Sequence, residues 1–225
     1  MRGVFISGTD TGVGKTQIGV VLARLLTGRG LSVRVRKPVE SGCVPEHGLL
    51  QPRDTLALQA AAGFIEPIER ICPYRLSKPL SPERAAELEG MTLDLRQLHA
   101  ACIDGVGEQD FLLVEGAGGF YSPIARGALN ADLAAGLGMP VLLVVPDRLG
   151  AISHALLAAE AVRMRGLALA GVILNEPEFP AAAEMDNAAD IERWSHVPVV
   201  RLPHAPDVEL AGQTALSPLV DRWLA

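Results

Sequence analysis

Short apolar runs rich in β-branched residues recur along the chain, and segments with helical spacing of apolar positions separate most of them. Short β-branched runs are typical of strands, whereas apolar residues at i, i+3, i+4 and i+7 are typical of amphipathic helices. The predicted strands cover residues 3–7, 31–36, 111–115, 140–145, 169–174 and 197–202. The predicted helices cover residues 17–30, 93–107, 151–166 and about 181–194.

The alternation of strands and helices predicts a single α/β domain over residues 1–225, with a mostly parallel sheet and helices on both faces. The central runs are almost wholly apolar, as expected for strands that are covered on both sides. In such sheets ligands bind beyond the carboxyl ends of the strands. Residues that directly follow a predicted strand are therefore the first candidates for a functional site.

Composition and charge indicate which binding partners and which cellular compartment to expect. The net charge is −6 and aromatic residues make up 4% of the chain, which disfavours nucleic acid and anionic membranes as partners. Cys43, Cys72 and Cys102 are far apart and odd in number, which is typical of a reducing compartment. No apolar run approaches the roughly 18–20 residues of a membrane span, and the first one ends at Gly8. We expect a soluble cytoplasmic protein without a signal peptide.

The segment GTDTGVGKT, residues 8–16, follows the first predicted strand and opens the first helix. Five residues separate Gly8 from Gly14, one more than in the usual phosphate-binding loop. The position still suits an anion, because loop N–H groups and a helix N-terminus converge there. Lys15 can reach the outer phosphates of a nucleotide, and the hydroxyl of Thr16 can hold Mg²⁺.

Two further charged residues come at the ends of predicted strands. Glu115 closes the apolar run FLLV, where an acid is the usual second contact to Mg²⁺ in such enzymes. It leads into the glycine-rich residues 116–119, whose backbone can approach a ligand closely. Lys37 follows the second strand, at the same edge of the sheet, where its charge would assist phosphoryl transfer.

After Lys37 the sequence predicts a long polar loop and the starts of two helices. Residues 38–53 are polar and are predicted to form a long loop, which in a compact domain is often functional. Asp54 begins the helical stretch DTLALQAAAG, and by itself it is interpreted as the N-cap of that helix. Ser81 and Pro82 are predicted as the cap and first residue of another helix.

Six motifs occur in order between about residues 3 and 206: GTDTGVGKT, KPVESG, SPERAAELEG, VEGAGG, DRLGAISHALL and AGVILNE. Together they resemble the dethiobiotin synthetase family, in which the phosphate loop has the longer form seen here. The resemblance implies a P-loop NTPase fold and the ATP- and Mg²⁺-dependent joining of CO₂ to 7,8-diaminononanoate. One amine forms a carbamate, which attacks the γ-phosphate of ATP. The neighbouring amine then attacks the mixed anhydride, which gives dethiobiotin, ADP and phosphate.

The resemblance also implies roles for individual positions. The catalytic residues are Lys37, Lys15 and Thr11, and the Mg²⁺ ligands are Thr16, Asp54 and Glu115. The substrate-binding residues are Ser41, Gly150, Ile152 and Ser153. The last three belong to a helix start, Gly150–Ser153, which meets the substrate carboxylate from the second subunit of a homodimer. The nucleotide-binding residues are Gly12, Val13, Gly14, Lys15, Thr16, Gln17, Asp54, Glu115, Gly116, Ala117, Gly118, Asn175, Pro203, His204 and Ala205.

The alternative is a partitioning or division-site ATPase of the same superfamily, which acts as a switch. Those proteins carry a lysine early in the phosphate loop that reaches the partner's nucleotide, and here Asp10 stands in its place. They also carry an amphipathic C-terminal membrane helix, whereas the end of this chain, SPLVDRWLA, is short. A GTP-binding regulator is disfavoured because Asn175 is followed by Glu176 and Pro177 and not by the guanine motif Asn-Lys-x-Asp.

Overall fold

The computed structural model describes residues 2–177, 184–205 and 207–225. Its strands are β1 (Arg2–Gly8), β2 (Val33–Arg36), β3 (Val39–Ser41), β4 (Val44–Glu46), β5 (Leu49–Gln51), β6 (Tyr74–Leu76), β7 (Phe111–Gly119), β8 (Pro123–Ala125), β9 (Ala128–Leu129), β10 (Val141–Pro146), β11 (Leu169–Asn175) and β12 (Val199–Leu202). Its helices are α1 (Lys15–Gly28), α2 (Arg53–Ala61), α3 (Ile68–Ile71), α4 (Pro82–Leu88), α5 (Leu95–Ile103), α6 (Asn130–Leu137), α7 (Ala151–Met164), α8 (Asn187–Ser195) and α9 (Val208–Leu224).

Six parallel strands form the central sheet in the order β12-β11-β10-β1-β7-β2. The predicted α/β class and the presence of the six predicted strands are confirmed. The predicted end of the third strand at Glu115 is wrong, because β7 continues through the glycine-rich residues to Gly119, whose backbone pairs with Gly8. β1 lies between β10 and β7, with Phe5 beside Val141 on one side and Val114 on the other. Because every strand runs in the same direction, the carboxyl ends of β1, β2 and β7 meet at one edge.

Helices cover both faces of this sheet, and each face has its own apolar core. Side chains of successive strand residues point to opposite faces, so Phe5 joins one core while Val4 and Ile6 join the other. Leu22 of α1 is fully buried against the second core. Full burial of such a side chain stabilises the fold by roughly 1.5–3 kcal/mol. This packing fixes the direction in which α1 leaves β1, and therefore fixes the loop between them.

Two segments differ from the sequence predictions. Residues 38–53 are not one long loop, because they contain β3, β4 and β5. Each of these strands has three residues, too few for an alternating pattern to be recognised. The C-terminal SPLVDRWLA is not merely a short end, because it forms the second half of the 17-residue helix α9. Pro218 lies inside α9 and interrupts its helical signal.

The helix predicted over about residues 181–194 is described only from residue 184 onward, where α8 begins at Asn187. Ser81 is the N-cap residue of α4 and Pro82 is its first helical residue, as predicted. Among the residues that the structure describes, no helix combines the length and the apolar character needed to cross a membrane.

Candidate active site

The loop between β1 and α1 has a backbone that favours glycine at two positions. Gly12 and Gly14 have φ angles of 74° and 97°, in the left-handed region. A Cβ atom on Gly14 would also lie 2.2 Å from Nδ2 of Asn175. That same Nδ2 donates a hydrogen bond of 3.1 Å to the carbonyl oxygen of Val13. The end of β11 is thus bonded directly to the loop, and Gln17 lies in the first turn of the helix that follows.

A cavity of about 310 Å³ opens at the carboxyl edge of the sheet beside this loop. It brings together most of the predicted site residues, although they come from four separate parts of the chain. Its lining consists of Thr11, Gly12, Gly14, Lys15, Thr16, Lys37, Glu40, Ser41, Asp54, Glu115, Gly116, Ala117 and Gly118.

Lys15 is buried at the floor of this cavity. Its Nζ donates a hydrogen bond of 2.8 Å to the backbone carbonyl of Asp10 within the same loop. Burial lowers the pKa of Lys15 to about 8, although the nearby carboxylate of Glu115 partly opposes this shift. The ammonium group is therefore held by one neutral partner and can exchange that partner for a phosphate oxygen.

Lys37 is also buried, but it lies between two acids. Its Nζ donates to Oδ2 of Asp54 at 2.7 Å and to Oε1 of Glu115 at 2.5 Å. Burial lowers the pKa of Lys37, but the carboxylates of Glu115 and Asp54 more than offset this effect and raise it above its ordinary value. Lys37 therefore keeps its charge at any pH at which an enzyme works.

The oxygen atoms around Lys37 suit a magnesium ion that is also bound to phosphates. The Thr16 hydroxyl donates to Oε1 of Glu115 at 2.8 Å, while Oε2 of Glu115 is buried without a hydrogen-bond partner in the described part of the chain. No group of three or more His, Cys, Asp or Glu side chains suited to a metal ion occurs among the described residues. Mg²⁺ commonly takes one or two carboxylates and completes its shell with phosphates and water. Thr16, Asp54 and Glu115 therefore fit Mg²⁺ that is bound together with a nucleotide.

Glu40 belongs to the cavity lining but was missed in the sequence predictions. Its carboxylate accepts hydrogen bonds from the backbone N–H groups of Asp54 and Thr55, at 3.1 and 2.9 Å. The pattern-based interpretation of Asp54 as an N-cap is wrong, because the cap position is Pro52 and its side chain offers no acceptor. The available signal was a helix start with Pro and Arg where a capping residue belongs.

A second cavity of about 390 Å³ adjoins the first and shares Thr11, Ser41, Ala117 and Gly118 with it. Pro79, Leu80 and Pro82 contribute apolar surface to this second cavity. The two cavities together offer a charged compartment followed by a less polar one.

Other predicted residues lie outside the linings of these two cavities. Gly150, Ile152 and Ser153 are at the start of α7, where Gly150 is the N-cap residue with a φ of 92°. Asn175 is hydrogen-bonded to the phosphate loop, and 203–205 follow β12, the neighbour of β11 in the sheet. The structure of one chain does not bring the start of α7 to the charged cavity.

Comparisons with known proteins show which families this chain is similar to. A protein-family model described as an AAA domain matches residues 2–211. An ATP-dependent dethiobiotin synthetase BioD from Anaeromyxobacter sp. strain K is 41% identical over 211 residues, which are 92% of each chain. The protein of the same name from Ralstonia nicotianae is 39% identical over 223 residues, 97% of each chain.

Solved structures with 16% sequence identity share the fold. The MinC:MinD cell division protein complex of Aquifex aeolicus gives a TM-score of 0.59, covering 100% of this chain and 96% of the other. Chloroplast FtsY from Physcomitrella patens gives 0.52, covering 96% of this chain and 64% of the other. At this identity the likeness concerns the fold and not the activity. On the sequence relationships, the chain belongs to the AAA-domain family and to the family of ATP-dependent dethiobiotin synthetases.

Proposed function

We propose that this protein uses ATP and Mg²⁺ to join CO₂ to 7,8-diaminononanoate and close the ring of dethiobiotin, a step of biotin biosynthesis. The observation that carries this proposal is the position of Lys37, charged and buried between Asp54 and Glu115 at the rim of a phosphate loop. The less polar cavity beyond Ser41 supplies space for an aliphatic chain.

The nucleotide lies along the phosphate loop. Backbone N–H groups of residues 12–17 would bind the phosphates, and Lys15, which donates to the Asp10 carbonyl, would exchange that partner for a phosphate oxygen. Thr16, Asp54 and Glu115 would hold Mg²⁺, which neutralises phosphate charge when bound. Asn175 and the segment 203–205 contact the base, and Gly116, Ala117 and Gly118 close the opposite side of the phosphates.

The reaction requires charge neutralisation more than a strong base. An amine nitrogen bonds to CO₂ and loses a proton, and the resulting carbamate oxygen displaces ADP from the γ-phosphorus. The second amine then attacks the carbamate carbon, displaces phosphate and loses a proton, which leaves with the phosphate. Lys37 contacts the carbamate and the γ-phosphate, where its ammonium group offsets the negative charge of both. The Thr11 hydroxyl lines both cavities and orients the reacting end of the diamine, together with Ser41.

The protein acts as a homodimer in the cytoplasm. The substrate carboxylate binds at the start of α7 of the second subunit, where helical N–H groups favour an anion. The surface of α7 and of the two residues before it exposes large apolar side chains, as in a subunit interface: Leu149, Leu157 and Met164 are 88%, 62% and 77% exposed. Burying such side chains against a second copy would remove apolar surface from water. The three free, buried thiols support a reducing compartment.

Phosphate release from ATP in the presence of bicarbonate, with and without 7,8-diaminononanoate, tests the proposed reaction. We expect hydrolysis to depend on the diamine and labelled bicarbonate to appear in a cyclic urea. Hydrolysis that the diamine does not stimulate would contradict the proposal and favour the switch-type ATPase.

Subunit mixing tests the shared site. Ser153→Asp places a negative charge near the substrate carboxylate, and Lys15→Ala damages the nucleotide site. In a mixed dimer one site carries both defects and the other carries neither, so two nearly inactive variants should regain part of their activity. No recovery despite measured subunit exchange would mean that the carboxylate is held within one chain.

A further inference from the structure

Helix α2 begins without a capping residue of its own. Pro52 occupies the cap position, and no side chain at that position accepts a hydrogen bond. The first N–H groups of a helix have no partner inside the helix, so they need an acceptor from elsewhere. Glu40, which lies in β3, provides it: Oε1 accepts from the N–H of Asp54 at 3.1 Å, and Oε2 accepts from the N–H of Thr55 at 2.9 Å.

The carboxylate of Glu40 is bound unusually completely for a helix cap. Oε2 also accepts a hydrogen bond of 2.7 Å from the Thr55 hydroxyl, and both residues are buried. Burial raises the pKa of Glu40, whereas the charge of Lys37 and the hydrogen bonds from Thr55 oppose the rise. A carboxylate buried beside the acidic Asp54 is costly, and a serine at position 52 could have capped the helix more simply.

The location of Glu40 explains what this arrangement achieves. β3 begins two residues after Lys37 and pairs with β6, with Glu40 beside Arg75. The Lys37 N–H in turn donates to the carbonyl of Ile71 at 3.0 Å. Glu40 therefore stands on a fixed strand and binds the same first turn of α2 whose Asp54 carboxylate contacts Lys37.

We propose that Glu40 is a positioning residue, which holds the first turn of α2 so that the Asp54 carboxylate faces Lys37 and the magnesium site. The proposal rests on the Mg²⁺-dependent binding of ATP in the proposed function, and not on the identity of the second substrate. Without this bond, the first turn of α2 can fray, and Asp54, whose side chain is 47% exposed, moves into solvent.

Calorimetric titration of ATP at a series of Mg²⁺ concentrations, without the diamine, tests this role. Losing a helix cap shifts the equilibrium that it supports by about fivefold. Glu40→Gln should therefore raise the half-saturating Mg²⁺ concentration by about two- to fivefold, and by no more than Asp54→Asn does. The matched control is Asp94→Ala, because Asp94 caps α5 through the N–H groups of Arg96 and Gln97, outside the cavity lining. Asp94→Ala removes that cap, so it should lower the melting temperature and leave the Mg²⁺ dependence unchanged.

A double-variant cycle separates positioning from a general loss of stability. If Glu40 acts through Asp54, adding Glu40→Gln to Asp54→Asn should change the Mg²⁺ dependence by less than about twofold, because coupled residues are not additive. Effects on the Mg²⁺ dependence that multiply fully would overturn the proposal, and so would a Glu40→Gln effect on that dependence no larger than the effect of Asp94→Ala. Should Glu40→Gln not fold, Thr55→Val removes only the hydroxyl bond, and it should raise the Mg²⁺ requirement by about twofold.

The test of Glu40 does not depend on which reaction the protein catalyses. A protein that binds ATP with Mg²⁺ but shows no diamine-dependent hydrolysis would contradict the proposed function and still report on Glu40. ATP binding without any Mg²⁺ dependence in the unaltered protein would overturn the role of Glu40 directly.

Discussion

Lys15 and Lys37 are buried in the same cavity, yet their pKa values shift in opposite directions. Lys15 meets a single neutral carbonyl, and burial lowers its pKa to about 8. Lys37 meets two carboxylates, which outweigh the effect of burial and raise its pKa. The acids within reach, and not the depth of burial, decide how firmly each proton is held. Lys15 is thus free to take a phosphate as its new partner, whereas Lys37 is a permanent positive charge within an acidic cluster.

The largest expected effect is on turnover, and it follows from removing the positive charge of Lys37. Lys37→Ala should lower turnover by about 10²–10³-fold, because losing one group that stabilises developing charge typically costs that much. ATP binding should change less than turnover, because the phosphate loop, Lys15 and Mg²⁺ hold the phosphates, whereas the contact of Lys37 with the γ-phosphate strengthens as charge develops in the transition state. Single-turnover assays and calorimetric ATP titration separate the two quantities. A variant that keeps more than half of normal kcat would rule out a catalytic role for Lys37.

Removing the other buried lysine, Lys15, should affect the binding of ATP. Lys15→Ala should weaken ATP binding by about 10- to 100-fold, because a hydrogen bond to a charged group contributes roughly 1.5–3 kcal/mol. The same titration measures this loss, and AMP, which lacks the outer phosphates, provides a control whose weak binding should change less. If Lys15→Ala and Lys37→Ala weakened ATP binding equally, the proposed division of roles between the two lysines would be wrong.

The two acids that contact Lys37 should contribute unequally to the binding of Mg²⁺. Glu115 is buried and bonds to both Thr16 and Lys37, so Glu115→Gln should raise the half-saturating Mg²⁺ concentration by about tenfold or more. Asp54 is half exposed, and solvent screens its charge, so Asp54→Asn should raise it by only about two- to fivefold. Melting curves check that both variants fold. Equal effects would mean that exposure does not govern the contribution of these carboxylates.

The local parts of the site could be predicted from sequence because each has a local cause. Gly14 needs a left-handed backbone, Lys15 opens a helix directly after a strand, and Glu115 ends an apolar run. The sequence placed Lys37 and Glu115 at the same edge of the sheet, but their direct contact depends on register: Arg36, the last residue of β2, lies beside Val114, and β7 continues past Glu115 to Gly119. The exact roles of these residues stay predictions until the variants above are measured.

The parts that could not be predicted depend on contacts between distant segments. Glu40 caps a helix that starts 13 residues later, and no periodicity in either segment indicates that bond. The three-residue strand β3 exists because it pairs with β6, more than 30 residues away. The α9 helix contains Pro218 and is stabilised by burying Leu216, Leu219 and Val220 against the core that includes α1. In these cases tertiary contacts override the local signal.

The smallest effect concerns pH and distinguishes the two lysines without altering either. With a pKa of about 8 in the free protein, Lys15 loses its proton as the pH rises through 8, and bound phosphates raise that pKa. ATP should therefore bind most tightly below pH 8, with an affinity about twofold lower at pH 8 than at pH 7 and about fourfold lower at pH 8.5. Binding near pH 8 should be accompanied by uptake of a fraction of a proton, which titrations in buffers of different ionisation enthalpy detect.

Lys37 contributes nothing to this pH dependence, because its raised pKa keeps it charged throughout. In Lys15→Ala the affinity should be flat from pH 7.5 to 8.5. A fall that persists in that variant would assign the titration to another group, and a flat profile in the unaltered protein would mean that Lys15 keeps its proton as firmly as Lys37.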